Sequence, residues 1–79
     1  MAGRRWTEAE YRTLFDAHPP SGDAPRGSDL DRLAQHLGRT KDAVGWQWQD
    51  AHRYCAGVST TAAPVLMAYL DRVGLCRRI

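Results

Sequence analysis

The sequence predicts an all-α fold, a three-helix bundle over residues 4–55 with a fourth helix added on its C-terminal side. Three observations lead there. Apolar residues recur at i, i+3 and i+4 in four separate stretches. Each stretch is bounded by a capping residue, a proline or a glycine. The second and third stretches are joined by a turn too short to let their helices run parallel.

The first helix begins after Thr7, an N-cap with Glu10 at capping-box spacing. Trp6 before the cap and Tyr11 inside the helix have the spacing of a hydrophobic staple. Tyr11, Leu14 and Phe15 share the inward face, and the helix stops near Ala17, because a residue before proline is pushed out of helical geometry. Residues 18–28 hold three Pro, two Gly and two Ser and read as a loop. It is long for a connection between packed helices, so it is either a mobile surface loop or a contact element.

The second helix starts at Ser28, with Asp29 and Asp31 placed favourably in its first turn. Leu30, Leu33, Ala34 and Leu37 form a one-sided stripe, and Gly38 suits a left-handed stop. Thr40 caps the third helix, which runs to about Tyr54 or Cys55. Val44, Gln47, Trp48, Ala51 and Cys55 lie on one side of it, and Asp42, Gly45, Trp46, Gln49, Asp50 and Arg53 on the other. Trp48 and Trp6 are therefore core residues. Trp46 points away from Trp48. It either packs beneath the fourth helix or the 56–60 linker, or meets a protein partner, or stacks against nucleic acid. The fourth helix is expected over 61–74, with Thr60 or Thr61 as cap and Pro64 in its first turn. Val65, Leu66, Tyr69, Leu70 and Val73 form its apolar face, Gly74 stops it, and residues 75–79 form a basic tail.

At 79 residues the chain is expected to be a single domain, 1–79. No apolar run approaches membrane-spanning length, and the N-terminal stretch lacks the apolar segment of a secretory signal. Two cysteines, Cys55 and Cys76, suggest no disulfide framework, so a reducing cytoplasm is expected. Ten of the eleven basic residues are Arg and Ala is abundant, a bias associated with GC-rich bacterial or phage genomes. His52, Cys55 and Cys76 lack the spacing of a zinc site, and no nucleophile motif or phosphate-binding glycine loop is present. The expectation is no enzyme, no cofactor, no metal and no small-molecule substrate.

The net charge is +2. Residues 1–40 balance six Arg against six acids, and residues 41–79 carry five basic groups against three acids. Charge alone therefore does not argue for nucleic acid. The argument comes from the segment running from Leu33 to Val44, in which a glycine stop, an Arg-Thr turn and a newly capped helix follow without a spacer. Helix-turn-helix geometry of this kind presents the second helix to a major groove wide enough to admit it.

Trp6-Thr7 with Glu10 and Leu14, then Leu33-Ala34, Leu37-Gly38-Arg39-Thr40, Ala43-Val44 and Trp48, resemble a Myb/SANT-like repeat over about residues 4–55. The resemblance implies a core of spaced tryptophans and a third helix, about 41–54, that reads double-stranded DNA. SANT relatives of the same fold bind histone tails or other proteins. Where DNA-reading members carry Lys and Asn, this chain has Gly45 and Trp46, and Gln49 stands where the family uses Asn. Asp42 and Asp50 add negative charge nearby.

The expected function is a small DNA-binding regulator of transcription or of a phage or mobile element. Gln49, Arg53 and Trp46 would meet bases, and Arg39, Lys41, Arg4 and Arg5 the backbone. So weakly basic a domain would need a homodimer, tandem sites or a larger partner. The alternative is a protein-interaction module using Trp46, the 18–28 loop and the fourth helix, with Tyr69 among its contacts.

Overall fold

The computed structural model describes residues 5–58 and 62–76. Four helices follow one another: α1 (Glu8–Ala17), α2 (Ser28–Leu37), α3 (Lys41–Cys55) and α4 (Pro64–Val73). Among the described residues there is no strand, and no helix is long and apolar enough to cross a membrane.

Helix α1 starts with both halves of the predicted capping box, Thr7 accepting from the Glu10 amide and Glu10 accepting from the Thr7 amide. The staple is formed too, with the Trp6 and Tyr11 rings stacked at 5.5 Å. Tyr11, Leu14 and Phe15 are buried, as their spacing requires. The helix ends at Ala17, and His18 leaves helical geometry before Pro19, at φ -138° and ψ 85°. Helix α2 ends in a Schellman motif. Gly38 adopts φ 66°, its amide reaches the Gln35 carbonyl, and the Arg39 amide reaches Ala34. The same glycine solution closes α3 at Gly57 and α4 at Gly74.

Eleven buried apolar residues form the core, drawn from α1, from Ala34 of α2, from Val44, Trp48 and Ala51 of α3, and from Ala62, Leu66, Tyr69 and Leu70 around α4. Leu30, Leu33 and Leu37 of α2 pack against it only partly buried. Trp6 is likewise partly buried, a lid on the core rather than its centre. Trp48 is 7% exposed, and its indole N–H donates to the His18 carbonyl at 3.0 Å.

That bond also decides the fate of the 18–28 loop. His52 stacks on Trp48 with ring centroids 5.0 Å apart, and its Nδ1 lies 2.8 Å from the Pro20 carbonyl oxygen. A carbonyl only accepts, so Nδ1 carries the proton. Pro20 and Pro25 are themselves buried. The loop is thus pinned to α3 at two carbonyls, so it is a packed element of the fold.

Three expectations are corrected. Helix α4 starts at Pro64, with Ala63 as an N-cap that makes no side-chain bond; Thr60 and Thr61 lie outside the described residues. Val65 and Val73, expected inside, are 47% and 44% exposed. Three buried positions in ten suffice for a helix that covers one flank of the core. Lastly, Cys55 and Cys76 are bonded to each other, joining the last residue of α3 to the turn after α4. The helices bring together two residues 21 apart in sequence, a proximity that spacing alone does not convey.

The two tryptophans of α3 give a direct test of its orientation. Trp48→Ala should lower stability by about 3–5 kcal/mol in urea denaturation followed by circular dichroism. Trp46→Ala should move it by less than about 0.5 kcal/mol. The reverse order would mean that the helix is turned the other way.

Candidate nucleic-acid interface

The three residues Gly38, Arg39 and Thr40 carry the chain from α2 into α3. Gly38 supplies the left-handed step, and Thr40 accepts from the Ala43 amide at 3.1 Å to begin the new helix. Arg39 was expected to meet phosphate. Its side chain instead turns inward. Nε donates to Glu10 Oε2 at 2.7 Å, and one terminal nitrogen donates to Glu10 Oε1 at 2.8 Å and to the Arg5 carbonyl at 2.9 Å. The guanidinium also lies over the Trp6 ring at 4.9 Å. The two side chains are only 9% and 13% exposed. Bonding to Glu10 raises the Arg39 pKa against the opposing effect of burial. Arg39 is therefore a structural residue, and its expected place on the recognition surface is corrected.

The outer side of α3 is open. Asp42, Trp46, Gln49 and Arg53 follow one stripe at helical spacing, and all four are exposed, Trp46 by 64%. A Cβ added at Gly45 would meet nothing within 4 Å. The exposure of Trp46 removes the alternative of its being tucked beneath α4. Lys41 stands at the head of the stripe, paired at 3.3 Å with Asp31, both more than half exposed. A pair so exposed contributes about 0–1 kcal/mol and leaves the ammonium within reach of another anion. Asp50 is half buried at the margin of the stripe.

Arg5 is exposed, and its carbonyl is held by Arg39 beside the α2–α3 turn. Arg4 lies outside the described residues. Tyr69, proposed as an exposed protein contact, is 6% exposed and packs against Tyr11 at 5.5 Å and Phe15 at 6.4 Å. It belongs to the core because Leu66 and Leu70 fix the phase of α4.

A cleft not evident in the sequence lies between Trp6, Tyr11, Gln47, Pro64 and Val65, with Arg5 at its edge. Gln47 Oε1 is buried there without a hydrogen-bond partner among the described residues. Gln47 sits on the inward side of α3, where periodicity placed it, but nothing in the spacing reveals that α4 stops short of covering it. Among the described residues, no group of three or more His, Cys, Asp or Glu is arranged to hold a metal.

Comparison of the chain with protein-family models, with curated proteins and with solved structures finds no match.

Two outcomes follow from the Arg39 cluster. Arg39→Ala removes the main cation from a nearly buried carboxylate and should cost roughly 2–4 kcal/mol in chemical denaturation. Burial raises the Tyr11 phenol, with Arg39 acting in the opposite sense, while hydrogen bonding to Asp71 raises that of Tyr54. Both shifts favour the protonated phenol in the folded state. Their stabilisation is complete below the ordinary tyrosine range, near pH 10, and is lost as pH rises through the higher folded values. The urea midpoint should hold from pH 7 to 9 and fall above about 10. Tyr11→Phe should weaken that alkaline fall, and an unchanged profile would count against the burial of the phenol.

Proposed function

We propose that the protein is a DNA-binding module of helix-turn-helix type, similar to a Myb/SANT-like repeat, that lays α3 in the major groove. One observation carries this reading. The outer stripe of α3 is exposed from Asp42 to Arg53, on a helix that begins only three residues after the end of its neighbour. A helix of 15 residues is about 22 Å long, enough to follow a groove past several base pairs.

Within this arrangement Gln49 faces base edges, where a carboxamide pairs well with adenine, and Arg53 faces bases or backbone further along. Lys41 contacts phosphate at the start of the helix, where free backbone N–H groups also favour an anion. Arg39 contributes indirectly. By holding the Arg5 carbonyl it sets Arg5 at the side of the turn, from which its side chain reaches the backbone or the minor groove. Trp46 lies flat against the sugar edge or stacks on a distorted step.

A second reading has its own support. Trp46 is 64% exposed, and the cations near it are balanced by Asp42 and Asp50. An exposed tryptophan on a mixed-charge helix is the composition of a protein-contact hot spot. In that case α3 meets a protein partner or a second copy of the chain.

Fluorescence titration of duplex DNA separates the two. With two to four phosphate contacts, log Kobs against log salt should have a slope of about −2 to −3.5. Arg53→Ala and Lys41→Ala should each reduce that slope by roughly 1. Gln49→Ala should narrow the preference between sequences and leave the slope unchanged. No salt-dependent binding at low ionic strength, together with a stable protein complex lost on Trp46→Ala, would establish the second reading instead.

A further inference from the structure

We propose that Cys55 and Cys76 are a reversible thiol–disulfide site whose state governs the stability of the whole fold. This rests on no part of the DNA-binding reading. The bond joins the last residue of α3 to the turn that follows α4, and its ring encloses all of α4. Helix α4 has few polar ties to the other helices. Its N-cap Ala63 makes no side-chain bond, and among the described residues its side chains reach Tyr54 through Asp71 and Glu8 through Arg72, the second pair exposed. Yet Leu66, Tyr69 and Leu70 of α4 are core residues packed against Tyr11 and Phe15 of α1. A helix that the core needs, with no side-chain cap at its first turn and its glycine stop, Gly74, just before Cys76, is where a cross-link has most effect. The reducing of that link is felt by α1 and α3 as well.

Both cysteines are half-buried residues at the edge of the core rather than within it. The reductant is a dithiol. One of its thiolates attacks either sulfur of the bond and forms a mixed disulfide, and the other cysteine leaves as thiolate and takes a proton from water. The second thiol of the reductant, as thiolate, then displaces the attached cysteine. Two electrons pass to the protein, which gains two thiols, and the reductant becomes a disulfide. Oxidation by a disulfide reverses each step.

The test uses the full chain equilibrated in mixtures of reduced and oxidised dithiothreitol, then quenched with a maleimide and weighed. The monomer should add no maleimide at the oxidising end and two at the reducing end, returning to none on reoxidation. Closing a ring of this size predicts a melting temperature about 10–20 °C higher in the oxidised form. Cys55→Ser and Cys76→Ser should each melt as the reduced protein does and ignore the reductant. Should either serine variant fail to fold, the reduced wild-type chain supplies the same comparison. Thiols that remain open under oxidising conditions, a bond that resists excess reductant without denaturant, disulfide-linked dimers, or equal melting of the two forms would each overturn the proposal.

Discussion

The Glu10 carboxylate serves two structures at once. It closes the capping box that starts α1, and it receives two donors from Arg39 across 29 residues of sequence. The first role fixes where the helix begins. The second fixes where the α2–α3 turn lies against it. Trp6 completes the arrangement, stacked on Tyr11 and in contact with the Arg39 guanidinium. The start of α1 and the α2–α3 turn are therefore one physical unit. A charged pair this close to burial is a modest source of net stability, since desolvation offsets much of the attraction. Its value is in geometry, because a planar fork and a carboxylate fit in few ways.

From that fixed turn, the orientation of α3 follows from Trp48. Its indole fills the core and spends its single donor on the His18 carbonyl. With Trp48 inside, the 100° step of the helix places Trp46 outside, and no local adjustment brings both in. The His52 ring, stacked beside Trp48, extends the same fixation to Pro20. His52 is thus occupied in holding the proline-rich loop. The exposed surface of α3 is narrower than its polar composition suggests, and it is defined by what the inner side excludes.

Features set by neighbouring residues were legible in the sequence. The capping box at Thr7, the staple of Trp6 on Tyr11, the glycine stops at Gly38 and Gly74, and the opposed tryptophans all depend on a few consecutive positions. What escaped depends on contacts across the chain. Arg39 looked like a surface cation because Glu10 is distant in sequence, and Arg and Glu have no periodicity that pairs them. Tyr69 looked available because a phenol suits either a core or an interface. Val65 and Val73 looked buried because hydropathy does not say how wide a face a short helix must cover. The cysteines looked like isolated thiols because their meeting depends on where α4 ends relative to α3. Of the candidate surface, the stripe of Asp42, Trp46, Gln49 and Arg53 was visible in the helical wheel. Its openness was not, since only packing shows where α4 lies.

Withdrawing Arg39 from the surface changes what any partner meets. Along α3 the cations that remain exposed are Lys41 and Arg53, at opposite ends of the stripe, with Asp42 beside the first and Asp50 near the second. Such a surface has little long-range attraction for a polyanion, and its contact energy has to come from short-range complementarity. Trp46 is the residue suited to that. It offers the largest apolar area on the exposed stripe, next to a glycine that lets a partner approach the helix backbone. The arm ahead of α1 is the other resource, because it adds Arg5 at a point displaced from the helix axis and already anchored by its carbonyl. The two proposed readings therefore rest on two neighbouring features: DNA binding would draw on Arg5 and α3 together, and protein binding on the enclosure of Trp46.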